Sequence, residues 1–323
     1  PQDCGYGEWF DRSLNTSSAG SQIVGPYCFG SCDNCEVPNW SLSFDGVDDY
    51  VIKNNSNLQN IESLTIETYI NISEYPHERN QEGMVFYASN YSGQRECELY
   101  FNKNNQNLEF TIANQTSYIN YDYFNFDLNK WYLIKADFNY QMINLYVDDL
   151  LVASSETSVS VLDDFNDIVI GSLIEYNQYY KGYIDDFVLS TNDNIKIDWT
   201  MNEGEGSTLT DYSGNGNHGS IYNATWSDDF PIPPHEGPEW FVDEDGSDDN
   251  NGSYDYPFST IQHAINSSND GDSIFVSSGT YYENINFYGK EVKVFGLSGP
   301  EETIIDGQAM NSAVVAFRDF DYS

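Results

Sequence analysis

Between Trp40 and Trp226 the chain is built from short apolar runs, and none of them carries a helical period. Leu64–Ile70, Leu108–Ile112, Trp131–Phe138 and Ile168–Gly171 are alternating or continuous apolar segments, each bounded by clusters of Asn, Asp, Ser and Gly. Strands this dense, with no helix to cover them, can bury their apolar faces only against one another. The expectation is an all-β chain built on an antiparallel two-sheet sandwich. The core material is present, since 39% of residues are hydrophobic and there are 26 Tyr and 19 Phe. At 323 residues, two domains are expected.

Charge removes whole classes of partner. Twelve Lys and Arg against 52 Asp and Glu give a formal net charge of -40, which repels nucleic acid and anionic membrane surfaces. No apolar run approaches the roughly 18 to 20 residues that cross a bilayer, so membrane insertion is not expected. Self-repulsion at this charge is tolerable in a saline, calcium-containing medium, because the Debye length shrinks to about 3 Å at 1 M salt. There is no signal-peptide pattern, and the chain opens on Pro1 rather than Met. It reads as a mature form whose export signal has been removed, acting outside the cell or at its surface.

Five cysteines sit at 4, 28, 32, 35 and 97. The spacing of Cys28, Cys32 and Cys35 is open to a zinc knuckle, a redox pair or disulfides. With no histidine nearby and an exported chain, a stapled N-terminal segment over residues 1–38 is preferred, Cys4 bridging to one of the three. Residues 39–226 then form the sandwich. Residues 227–238, with four prolines, form a semi-rigid linker, and residues 239–323 a second domain.

Three segments narrow the sandwich. Ser43-Phe44-Asp45-Gly46-Val47-Asp48-Asp49-Tyr50-Val51, Leu145-Tyr146-Val147-Asp148-Asp149 and Gly182-Tyr183-Ile184-Asp185-Asp186-Phe187-Val188 occur in the order and spacing of the laminin-G/concanavalin-A-like jelly roll, which the region resembles. Two departures stand out. Asp149 replaces the glycine of the family's Tyr-Val-Asp-Gly hairpin, which predicts a different turn type, and Trp131-Tyr132 stands where the family has Trp-His. The stretch from Trp199 to Trp226, which in relatives precedes the Phe-Asp-Gly strand, here follows the Ile-Asp-Asp strand. It is read as a permuted part of the same sandwich.

From Trp240 the pattern changes. Phe258, Ile261, Ala264 and Ile265 share one face of the one convincing amphipathic helix. Ile274–Val276, Gly279–Tyr281, Ile285–Phe287, Val292–Gly296, Thr303–Gly307 and Ala313–Phe317 follow as short β segments. Together with the Gly-Ser-Asp loop at 246–248 they resemble the opening of a right-handed parallel β-helix of the pectin-lyase-like superfamily. About 85 residues allow two to three coils, and an uncovered last coil offers an end through which the chain could self-associate.

The resemblance implies a structural calcium near the paired acidic strands, and calcium needs six to eight oxygens from flexible turns. Three donor sets are expected: Asp45, Asp48, Asp49, Asp185 and Asp186; Asp211, Ser213, Asn215 and Asn217; and Asp243, Asp245, Asp248, Asp249 and Asn250. The competing reading is that Asp-Gly and Asn-Gly segments are ordinary turn formers. For glycan contact the candidates are Tyr118, Tyr121, Tyr123, Tyr176, Tyr179 and Tyr180, whose faces can stack on sugar C–H surfaces, although tyrosines equally plug sheet edges. Sequons at Asn71, Asn90 and Asn114 reflect the high Asn and Ser content as readily as modification. The four histidines form no nucleophile–base pattern, and no Glu-x-Asp-x-x-Glu strand is present, so an enzyme is not expected. The expectation is a calcium-stabilised, non-catalytic binding or adhesion protein recognising glycan or a cell-surface protein. The alternatives are a subunit of an extracellular filament or surface layer, and a fragment of a polysaccharide lyase.

Overall fold

A computed structural model describes residues 39–104, 107–113, 115, 117–121, 126–139, 141–232, 235–307 and 313–317. Cys4, Cys28, Cys32, Cys35, Tyr123 and the Asn114 sequon lie outside the described residues, so the stapled-segment expectation falls there too.

The strands of the first part are β1 (Ser41–Asp45), β2 (Tyr50–Lys53), β3 (Ser63–Ile72), β4 (Gly83–Ser89), β5 (Arg95–Phe101), β6 (Leu108–Ile112), β7 (Ser117–Tyr121), β8 (Trp131–Asn139), β9 (Met142–Val147), β10 (Leu150–Glu156), β11 (Asp167–Ile170), β12 (Ser172–Leu173), β13 (Gln178–Tyr179), β14 (Lys181–Thr191), β15 (Asn194–Trp199), β16 (Thr208–Leu209), β17 (Gly219–Tyr222) and β18 (Thr225–Ser227). One helical turn, α1 (Pro76–Arg79), interrupts them. They form two antiparallel sheets, ordered β10-β9-β8-β3-β14-β1-β18, with β15 also on β14, and β16-β17-β2-β11-β4-β5-β6-β7. The stretch after β14 feeds both sheets. Thr225 of β18 faces Ser43 of β1, and Ile221 of β17 faces Val51 of β2.

Alternation decides which side chains meet between the sheets. On β8, Tyr132, Ile134, Ala136 and Phe138 point inward and are buried, while their neighbours face out. At the centre Phe187 packs between Phe86 and Trp199, with ring centroids 5.7 and 5.4 Å apart. The indole of Trp199 donates to the Asn217 carbonyl at 2.9 Å, so its polar atom is satisfied inside the core.

Two local features follow from backbone chemistry. Gly182 has φ +146°, and a Cβ there would lie 2.0 Å from the Asn71 carbonyl oxygen, so the β3–β14 approach requires glycine. The β9–β10 turn corrects the sequence expectation. Asp148 and Asp149 both take positive φ (47° and 62°), as a type I′ turn demands, so the replacement of glycine does not change the turn. Asp tolerates this region, and Asp148 is pinned on both sides, its carboxylate accepting from Leu133 N–H and its N–H donating to Leu133 O, each at 2.9 Å.

A second compact unit begins at Ile232. It comprises β19 (Glu239–Val242), α2 (Ile261–Ser267), β20 (Ser273–Val276), β21 (Gly279–Tyr281), β22 (Ile285–Asn286), β23 (Lys293–Gly296), β24 (Thr303–Ile305) and β25 (Val315–Ala316). Among the described residues all strand pairing here is parallel, in three short sheets: β19-β20-β23, β21-β24 and β22-β25. Register places Phe241, Phe275 and Phe295 above one another, stacked at 5.4 and 5.5 Å. The helix is shorter than its sequence pattern. Thr260 caps it by accepting from His263 N–H, and Phe258 lies before it, bridged to Val242. Ile261, Ala264 and Ile265 are buried, as the pattern requires.

Candidate functional site

The outer face of the second sheet carries a linked set of polar and aromatic side chains. Cys97, Leu99 and Phe101 of β5 and Leu108, Phe110 and Ile112 of β6 point to the core. Alternation therefore sends Glu98, Tyr100, Glu109 and Thr111 outward. Register aligns Tyr118 of β7, Thr111 of β6, Glu98 of β5 and Tyr87 of β4 in one row, about 14 Å across three strand spacings. The β12–β13 hairpin lies on the same face, its Leu173 buried with Met84, Tyr87 and Val169. Tyr176, in the turn of that hairpin, is 56% exposed, and Tyr118 is 62% exposed.

Between these two rings runs a connected hydrogen-bond strip. Arg95 pairs with Glu98 Oε1 at 3.0 Å and lies over the Tyr176 ring, 5.0 Å from its centroid. Thr111 Oγ1 and Gln115 Nε2 donate to Glu98 Oε2 at 3.1 and 3.0 Å. In the adjoining row the Tyr100 hydroxyl donates to Glu109 Oε2 at 2.6 Å, and Asn102 Nδ2 donates to Oε1 at 2.9 Å. Glu98 is only 1% exposed, a burial these donors make tolerable. Burial, with the bond to Glu109, holds the Tyr100 hydroxyl well above the usual phenol range. Burial also raises Glu82 and Glu96, the latter further raised by the Asp163 charge. Such a strip can position hydroxyls and stack rings. Its carboxylates are already engaged by the protein's own donors.

Of the six tyrosines expected as glycan contacts, the five among the described residues do not share one surface. Tyr118 and Tyr176 share this face. Tyr121 packs against the core, Tyr179 is buried, and Tyr180 is a core residue whose hydroxyl donates to the Asn71 carbonyl at 2.8 Å. Tyr180 precedes β14, where the inward-facing position needs bulk, so a loop-like sequence concealed a core role. Of the residues that complete the strip, Glu98, Tyr100 and Glu109 were signalled by the polar–apolar alternation of 95–101 and 108–112, whereas Arg95 falls at a register shift against β4 and Gln115 lies beyond β6, where alternation carries no signal.

The fold divides the first of the three oxygen-donor sets. Asp45, Asp48 and Asp49 do converge, with carboxylate oxygens within 4.8 Å of one another, the one such group among the described residues. Asp45 Oδ1 accepts from Val47 N–H at 2.7 Å and Asp49 Oδ2 from Asp45 N–H at 2.5 Å. Burial raises Asp49, with the Asp45 and Asp48 charges adding to it against the Asp45 N–H bond. Arg79 reaches the same loop, donating to Gly46 O at 3.1 Å, and Lys181 is the register partner of Asp45. Asp185 and Asp186 do not join them. They lie four and five residues along β14 from Lys181, about 13 Å or more away. There they form a bulge at which the β14 edge passes from β1 to β15.

Asp211 is a loop brace. Its carboxylate accepts three backbone N–H groups, from Asp198 and Ser213 at 3.0 Å and from Asn217 at 2.7 Å. The Asn215 and Asn217 amides donate to Ile195 O and Lys196 O, each at 2.9 Å. In the second unit Asp248 accepts from Ser259 N–H at 3.0 Å, Thr260 N–H at 2.9 Å and Thr260 Oγ1 at 2.8 Å. Burial pushes its carboxyl up, but these bonds outweigh it and hold the group below the usual range. Asp243 accepts from Asp245 N–H at 3.0 Å, and Asn250 Nδ2 donates to Pro257 O at 2.9 Å. Asp249 donates its N–H to Ser247 Oγ at 3.2 Å. These sets organise turns, the role that competed with calcium in the sequence.

The histidines have structural partners: His218 Nδ1 accepts from Asp211 N–H at 3.0 Å, and the His263 ring lies 4.5 Å from that of Phe258. Of the sequons, Asn71 and Asn90 are 1% and 5% exposed, and the Asn90 amide donates to Glu96 and Asp163, so neither offers an accessible acceptor in the folded chain.

Residues 45–193 match the sequence family described as the concanavalin A-like lectin/glucanases superfamily. Residues 244–310 match a family described as a protein of unknown function, DUF1565. No curated protein matches the chain. Among solved structures, it is similar to a candidate carbohydrate binding protein from Bacteroides ovatus, at 12% identity and TM-score 0.47, over 58% of this chain and 59% of that one. It is also similar to a heptameric SAP-like pentraxin from Limulus polyphemus, at 15% identity and TM-score 0.40, over 48% and 77%. Domains LG4-5 of the mouse laminin alpha1 chain match at 17% identity and TM-score 0.38, over 47% and 41%. The chain thus spans less than two thirds of the length of the first of these.

Proposed function

We propose that the sandwich is a non-catalytic recognition module for glycans, acting outside the cell, and that its contact surface is the outer face of the second sheet. The observation that carries this reading is the pair of exposed rings, Tyr118 and Tyr176, standing across the strip of Arg95, Glu98, Thr111 and Gln115. Rings offer sugar C–H faces a stacking platform, and the Gln115 amide and Arg95 guanidinium between them suit sugar hydroxyls. The match of residues 45–193 to the lectin and glucanase superfamily is consistent with it. Affinity electrophoresis against a panel of polysaccharides tests it. The chain should be retarded by at least one of them, and the Tyr118→Ala/Tyr176→Ala double variant, which removes no core residue, should migrate freely. Equal retardation of both proteins refutes the site.

In this reading calcium is a structural ion held by Asp45, Asp48 and Asp49. Calorimetric titration with calcium should give one site that Asp49→Asn weakens at least tenfold; no heat of binding refutes it.

A second reading, assembly, is favoured by the parallel unit, which we read as successive coils of a β-helix. The outer edge of β19 is taken by the chain itself, through Phe241 N–H to Gly252 O and Phe258 N–H to Phe241 O, each at 2.9 Å. Among the described residues no strand pairs with the outer edges of β23, β24 and β25. Analytical ultracentrifugation decides this, a concentration-independent monomer excluding assembly through that end.

A further inference from the structure

Resting on the glycan-recognition reading, we infer that the face between Tyr118 and Tyr176 selects glycans free of acidic groups, taking neutral or amine-bearing sugars and rejecting uronates, sulfated sugars and sialic acids.

The argument is electrostatic. The carboxylates in and beside the strip are Glu82, Glu96, Glu98, Glu109, Asp163 and Glu175, and Glu98 and Glu109 are 1% and 8% exposed. The cation between the rings is Arg95. It is committed to Glu98 at 3.0 Å and to the Tyr176 ring at 5.0 Å, so capturing a ligand carboxylate would draw the one cationic partner from a buried Glu98, leaving it only the neutral donors Thr111 and Gln115. The Lys103 charge is drawn to Glu82, whose carboxyl it lowers and whose Oε2 accepts from the Lys103 backbone N–H at 2.7 Å. The far field has the same sign, since the net charge of -40 lowers the local concentration of any polyanion. A neutral sugar escapes both penalties, and an amine gains from both.

The test is a printed array carrying neutral β-glucans, xylans and chitin oligomers, amine-bearing chitosan oligomers, and acidic alginate, polygalacturonate, sulfated and sialylated glycans. The full chain is probed at 20 mM NaCl in buffer without added divalent ions. Binding should be confined to the neutral and amine-bearing spots, with at least a tenfold lower signal on acidic ones. The signal should fall with salt for amine-bearing glycans and stay level for neutral ones. The Tyr118→Ala/Tyr176→Ala variant should lose the bound spots. Stronger binding to acidic than to neutral glycans overturns the selectivity and leaves glycan recognition standing. Retention of chitosan binding by the double variant also overturns it, since the attraction would then lie elsewhere on the acidic surface. No bound spot at all overturns the recognition reading itself.

Discussion

Replacing Asp186 with asparagine should stabilise the sandwich at and above neutral pH and change little near pH 3. Asp186 sits in the β14 bulge at φ +48°, a conformation asparagine accepts, so the backbone can stay as it is. Burial, followed by the charges of Asp198 and Glu67, pushes its carboxyl up to about 7 from 3.8. Its neighbour Asp185 is also held well above the usual range, by burial first and then by Asp186. The ionised form is therefore disfavoured in the folded chain. The cost is absent below the unfolded value of 3.8, grows as pH rises from there, and is complete above about 7. The displacement from 3.8 to about 7, at about 1.36 kcal/mol per tenfold change in proton affinity, sets an upper limit of about 4 kcal/mol. Solvent reaching a side chain at the sheet surface screens much of this, leaving an expected gain of about 1–2 kcal/mol. Urea denaturation at pH 4, 5.5, 7 and 8.5 measures it. The difference between variant and wild type should open between pH 4 and 7 and then level off. A difference that is constant with pH, or that shrinks as pH rises, refutes the assignment of strain to this carboxylate.

Gly182→Ala should prevent the β3–β14 pairing, since its Cβ would collide with backbone at 2.0 Å; circular dichroism should report an unfolded or insoluble chain, and native-like spectra would refute the constraint. Asp211→Asn would set an amide donor against the Asn217 N–H and lose part of a charge-assisted network, costing about 2–3 kcal/mol in denaturant titration. Hydrogen exchange should then speed up at Asp198, Ser213 and Asn217, and unchanged protection there would show that the carboxylate is not the brace. Phe187→Ala, emptying the space between Phe86 and Trp199, should cost about 3–5 kcal/mol, and a loss under 1 kcal/mol would place the centre of the core elsewhere.

Much of the strand content was legible in the sequence because alternation is a local property. Leu64–Ile70 and Trp131–Phe138 show their buried faces without reference to any partner. The errors fell where a residue's role depends on what lies across from it. Tyr180 has a loop-like local context, and only the packing against Phe44, with ring centroids 6.2 Å apart, makes it core. Asp149 looked like a turn in need of glycine, yet the bonds Asp148 makes to Leu133 hold the same turn without one. Phe258 fitted a helical period but is taken by a bridge to Val242.

The sequence by itself determined that this is an acidic, aromatic, all-β chain with a change of character near Trp240, because composition and period need no third dimension. Only the tertiary structure decided which acids and tyrosines meet. Antiparallel register separates Asp185 from Asp45 by four residues of one strand, and brings Tyr118 and Glu98, twenty residues apart in the chain, into a single row. Register is set by cross-strand packing and hydrogen bonding, which no run of residues carries within itself.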